Sequence, residues 1–151
     1  MIQRIQSLFL LLSVITMSLM TMFPIAVLDV EGQLYTFHFF GFVLQETGEV
    51  VLPALPIAIL TGFIILISLV SIFLFKKRNL QMRLCTYNII LMLGLIGFIA
   101  YYIYSNASEL NAIISYSWAA IMPLISIVLT IMARGKIRKD ELLVKSVDRI
   151  R

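Results

Sequence analysis

Cys85 is the chain's single cysteine and His38 its single histidine. A nucleophilic cysteine needs a base beside it, and a whole apolar segment separates His38 from Cys85. One thiol also forms no intrachain disulfide and supports no dithiol exchange. Cys85 therefore reads as a small buried hydrophobe. His38 stands between Phe37 and Phe39, with only Asp29, Glu31, Glu46 and Glu49 nearby as companion metal ligands. A lone histidine in such a strand reads as a ribbon cap or a headgroup contact. The chain has no paired carboxylates and no Ser-His or Cys-His set, so we expect no enzyme, no bound metal and no cofactor.

The remaining polar side chains of interest lie within long apolar runs. Asn88, next to Tyr87, could hydrogen-bond across helices, as could Ser13, Thr16, Ser18, Ser126 and Thr130, or these could bond to their own helix backbone. Gly94 and Gly97, three apart, fit close helix packing. Tyr101, Tyr102, Tyr104 and Trp118 read as an interfacial aromatic belt.

The elements that hold these residues follow from composition. Of 151 residues, 61% are hydrophobic and 13% charged. Soluble domains carry about 45–50% apolar and about 25% charged residues, so the balance here is that of a membrane protein. Four uncharged segments, about 5–28, 54–75, 84–105 and 110–133, each reach the roughly 20 helical residues that cross a bilayer core. Lipid leaves no water for backbone groups, so these segments are helices. The first exceeds the roughly 7–15 apolar residues of a signal peptide, and Pro24-Ile25-Ala26 makes a poor cleavage site. We read it as a retained span. No Asp, Glu, Lys, Arg or His falls inside any of the four, which removes the usual basis for ion-coupled transport.

Charge sets the orientation. The link from Asp29 to Pro53 holds Asp29, Glu31, Glu46 and Glu49 but no basic residue, and the link around Asn106–Glu109 has none either. All 12 lysines and arginines lie on the other side: Arg4, Lys76-Lys77-Arg78 with Arg83, and the tail from Arg134 to Arg151. The net charge of +4 is therefore topological, and both termini are expected in the cytosol. Nucleic acid is not an expected partner, because no basic surface is interleaved with stacking aromatics.

Two segments flank the spans. Residues 29–52 contain LYTFHFFGFVL between glycine turns, which predicts a short extracytoplasmic hairpin or three-stranded ribbon. Phe37, Phe39, Phe40 and Phe42 would line its two faces, one on the helix ends and one at headgroup level. The tail, 134–151, is basic and helix-prone, with Leu143, Val147 and Ile150 spaced i, i+4, i+7. Lys136, Arg138, Lys139, Lys145, Arg149 and Arg151 would touch anionic lipid. Asp140, Glu141 and Asp148 among them make a mixed pattern that can specify a protein partner.

The ends of the chain, MIQRIQSLFLLL and IRKDELLVKSVDRIR, resemble the bacterial membrane family called domain of unknown function four-two-nine-three. The resemblance extends to the length, the four spans and the basic tail. It implies an inner-membrane protein of a Gram-negative bacterium. The family has no assigned activity, so no catalytic residue carries over.

The expected architecture is an all-α, four-transmembrane-helix bundle with a short external β-ribbon between helices 1 and 2. The expected role is a structural or accessory subunit that meets membrane lipids and a membrane or cytosolic protein. A small transporter or channel acting as an oligomer is the alternative.

Overall fold

Proline cannot continue a helix, and Pro24 marks where the first apolar run changes form. In the computed structural model, helix α1 spans Ile2–Met22, and strand β1 follows at Ala26–Val30. Residues 2–75 and 77–148 are described, with side chains for 5–75 and 77–143; Met1, Lys76, Arg149, Ile150 and Arg151 lie outside the described residues.

Three more strands follow: β2 (Gln33–His38), β3 (Gly41–Leu44) and β4 (Val50–Pro53). The β1–β2 turn uses Glu31 and Gly32 at φ 52° and 90°, the paired left-handed conformation of a two-residue hairpin. The Gly32 N–H donates to Asp29 Oδ1 at 3.0 Å. Helix α2 (Leu55–Phe73) starts with Pro56 in its first turn, where the missing donor costs nothing. Helix α3 (Arg78–Leu110) ends at Asn111 in the left-handed conformation. The chain then forms strand β5 (Ile113–Tyr116), a 3-10 turn at Trp118–Ile121, and helix α4 (Met122–Asp148).

The strands form one antiparallel sheet in the order β4-β3-β2-β1-β5. Ala26 pairs with Phe37 on one side and with Tyr116 on the other. This corrects the sequence reading in three places. The sheet has five strands rather than a short ribbon's two or three. The first helix stops at Met22, and its expected end at residue 28 is strand. The fourth span does not begin at 110, because 113–116 is the edge strand on β1. For β1 the cause is burial: Ile25, Ala26 and Leu28 are buried, so a core strand is as apolar as the helix before it; β5 is mostly exposed, but Ile113, Ile114 and Tyr116 make it equally apolar.

Helix α1 packs on α2, α2 on α3, α3 on α4, and α4 closes the ring on α1. Each helix turns a seam inward with alternating steps of four and three residues. In α1 the seam is Gln6, Leu10, Ser13, Met17 and Met20; in α2 it is Ile57, Thr61, Ile64, Ser68 and Ser71. The α3 seam runs Gln81, Cys85, Asn88, Met92, Leu95 and Ile99, and the α4 seam Pro123, Ser126, Thr130, Ala133, Ile137 and Asp140, with Ala119 of the 3-10 turn buried one step before it. A mean step of about 3.5 residues keeps one face on its neighbour and produces left-handed bundle packing.

The outer surface is apolar: Leu8, Phe63, Leu66, Ile90, Leu93 and Val128 are all exposed. Seams of mixed polar and apolar side chains inside and large apolar side chains outside suit lipid and not water. All four helices are long and apolar enough to cross a membrane. The sheet caps one end of the bundle and shares its core, since Phe37 and Phe42 belong to the same buried cluster as Met20, Ile57 and Leu95. The opposite end carries the described lysines and arginines.

Candidate functional site at the basic end

Three parts of the chain meet at the basic end: the start of α1, the α2–α3 junction and the far half of α4. The Gln6 side-chain amide donates to the Asp140 carboxylate, and both residues are buried. Arg78 Nη1 donates to the Asp140 carbonyl oxygen at 2.9 Å. Beneath them Leu10, Cys85, Ala133 and Ile137 form a buried apolar cluster. These contacts hold α4 against the bundle at Asp140, its nineteenth residue, about where a span of roughly 20 residues ends.

Beside this lock, a groove of about 400 Å³ opens between α3 and α4, lined by Asn79, Met82, Arg83 and Thr86 from α3 and by Arg134, Arg138, Glu141 and Leu142 from α4. Helical spacing brings them together: Asn79, Arg83 and Thr86 follow at four and three residues, and Arg134, Arg138 and Glu141 repeat the pattern. With its nitrogen turned toward Glu141, the Asn79 amide donates to that carboxylate at 2.7 Å. Arg83, Arg134 and Arg138 are exposed and have no hydrogen bond or ion pair among the described residues.

The tail residues singled out from sequence thus divide. Lys136 and Lys139 are exposed, Arg138 and Glu141 line the groove, and Asp140 is buried. Asp140 is not a surface contact, since helical spacing puts it on the α1 side. Arg149 and Arg151, and the side chains of Lys145 and Asp148, lie outside the described residues.

Deeper in the bundle, a polar layer separates the two apolar clusters. Ser13 Oγ lies 2.6 Å from Ser126 Oγ and 3.1 Å from Thr130 Oγ1, joining α1 to α4. Asn88 Nδ2 donates to Ser68 Oγ at 2.7 Å, joining α3 to α2. On the basic-end side of the Cys85 cluster, one turn before Cys85, Gln81 Nε2 donates to the Ser71 carbonyl at 2.9 Å. Thr61 Oγ1, Gln81 Oε1 and Asn88 Oδ1 are buried without a partner among the described residues. Sequence reasoning found Asn88, Ser13, Ser126 and Thr130 but not Gln6, Thr61, Ser68 or Gln81. A signal existed: Gln6–Ser13, Thr61–Ser68 and Gln81–Asn88 are each seven residues apart.

At the sheet end, Phe37 and Phe42 are cross-strand partners with ring centroids 4.5 Å apart, and both are buried. As surface contacts they are therefore corrected, because strand alternation points them at the bundle. Phe39 and Phe40 occupy the β2–β3 turn, and Phe40 is exposed. His38 stacks on Phe40 at 5.3 Å, and its partial burial lowers its pKa from the ordinary value. Tyr101, Tyr104, Tyr116 and Trp118 are exposed around this end, where aromatic side chains suit a headgroup layer. Among the described residues, no three His, Cys, Asp or Glu side chains gather as metal ligands would.

The sequence profile of a family described as "Domain of unknown function (DUF4293)" matches residues 2–150. The chain belongs to this family. No curated protein matches it. The family description assigns no activity, so the function of this member has to be argued from its own geometry.

Proposed function

We propose that this protein is a non-enzymatic structural or accessory subunit of the bacterial inner membrane, with its basic end in the cytosol and its sheet outside. The positive-inside rule supports that orientation, since the described lysines and arginines gather at one end and Asp29, Glu31, Glu46, Glu49 and Glu109 at the other. The observation that carries the role is the extension of α4. At about 1.5 Å per residue, its 27 residues reach about 40 Å, beyond a bilayer core about 30 Å thick. At about 100° per residue, Lys136, Lys139 and Leu143 fall on one face of it, across the helix from the groove and next to the seam that carries Asp140. A rigid helix with two cations beside an exposed leucine is a surface that a protein partner can read.

Crosslinking in native membranes followed by gentle solubilisation tests this. A stoichiometric partner is expected, and Lys136→Glu/Lys139→Glu/Leu143→Glu should release it. Recovery of the protein alone overturns the reading. Thiol labelling tests orientation separately: a cysteine at Glu46 should react with an impermeant reagent in intact cells, and one at Lys139 should not.

A transporter or channel acting as an oligomer is the second reading, favoured by the unpartnered oxygens of Thr61, Gln81 and Asn88. It requires water at mid-depth. Cysteines at Ile64 and Met92 should then react with polar thiol reagents, and a dry interior counts against it.

A further inference from the structure

The groove between α3 and α4 holds more positive charge than topology demands. Arg83 comes from one helix and Arg134 and Arg138 from another, and all three line one cavity of about 400 Å³. Glu141 is the only carboxylate among the lining residues, and the Asn79 amide engages it. Three guanidinium groups converging on one space repel one another, and an anion among them removes that cost. Guanidinium matches phosphate oxygens with two parallel N–H donors, which a lysine does not.

Depth identifies the source of the phosphate. From Trp118, at the aromatic end, to Arg134 and Arg138 is 16 and 20 residues. At 1.5 Å per residue this is about 24–30 Å, where the far edge of a bilayer core falls. Below the groove, Ile90 lies one turn past Thr86 and Ile131 one turn before Arg134, both exposed and on the same faces. A headgroup phosphate seated among the arginines would thus continue into acyl chains lying over Ile90 and Ile131. A soluble anion gains nothing from that apolar continuation.

We propose that Arg83, Arg134 and Arg138 form a binding site for the phosphate of an anionic phospholipid in the leaflet at the basic end. The site lies on a different face of α4 from Lys136, Lys139 and Leu143, so it stands or falls independently of the protein partner proposed above.

The test uses the full chain, delipidated in detergent, with lipid retention read by native mass spectrometry. Phosphatidylglycerol should be retained over phosphatidylcholine, which carries the same phosphate without net charge. At about 1 kcal/mol per basic contact, each of Arg83→Gln, Arg134→Gln and Arg138→Gln should lower retention about fivefold, and the triple variant about a hundredfold. Lys136→Gln/Lys139→Gln should change it less than about twofold if the groove, and not general charge, selects the lipid. Thr86→Phe fills the groove without altering charge and should also reduce retention, at an unchanged melting temperature. Equal loss from the lysine pair overturns the site. Displacement of the lipid by inorganic phosphate at equal concentration shows a soluble phosphate site and overturns the lipid assignment. Displacement by a polyglutamate peptide at equal concentration assigns the groove to an acidic protein and overturns it too.

Discussion

The side-chain amide of Gln6 donates to the carboxylate of Asp140 across 134 residues of sequence, joining the first helix to the last. The contact fixes where α4 leaves the bundle, and both groups are buried, so neither can turn to water instead.

Removing the donor should therefore cost more than its own bond. Gln6→Leu leaves a buried carboxylate without its partner, a loss of about 2–3 kcal/mol. We expect a lower melting temperature in detergent and faster proteolysis of the α4 extension. Asp140→Asn keeps an acceptor oxygen and should be milder. A Gln6→Leu protein that melts like wild type removes the contact from the account.

Ser13 tests the polar layer. It is fully buried between Ser126 and Thr130, so Ser13→Ala removes hydroxyl bonds with little change of shape. Such bonds in membrane proteins average about 0.6 kcal/mol, and a small loss is expected. Ser13→Leu forces extra carbon atoms between α1 and α4 and should cost about 1–3 kcal/mol. Equal stability of the two variants would mean that the helices have slack there.

Gly41 tests the sheet. It sits at φ +147°, and a Cβ there would meet the Leu52 carbonyl oxygen and lie 2.9 Å from Pro53 Cα. Those atoms are backbone and cannot swing aside. Gly41→Ala should break the β3–β4 pairing at a cost above about 1 kcal/mol, read as new protease cleavage within 41–53. Gly32→Ala, with nothing within 4 Å of its Cβ, bears only conformational strain and should be milder.

His38 predicts a pH dependence. Burial lowers its pKa in the folded state, so the unfolded chain binds the proton more readily. The sheet should be at full stability above the ordinary histidine value of 6.5 and weaken as pH falls below it toward the lower folded value. His38→Phe should flatten the melting curve across that range. A wild-type sheet that strengthens on acidification contradicts the burial argument.

Legibility in the sequence differed by element. The apolar spans and the one-sided placement of arginine and lysine stood out because hydropathy and charge are sums over neighbouring residues. The strand at Ile113–Tyr116 was hidden, because its apolar side chains match those of the helix that follows and its pairing partner lies in β1. The site was less legible still. The tail was recognised as a charged segment, but Asp140 faced inward and Arg138 outward only once α4 had neighbours.

By itself, the sequence determined four helices fit for lipid, a turn-rich segment between the first two and the gathering of positive charge at one end. Local composition decides these, since each span's transfer into lipid depends on its own side chains. The tertiary structure alone decided that Gln6 meets Asp140, that Arg83 faces Arg134, and that a fifth strand closes the sheet beside β1. These are contacts between distant residues, and their energies exist only after the helices have packed and turned particular faces toward one another.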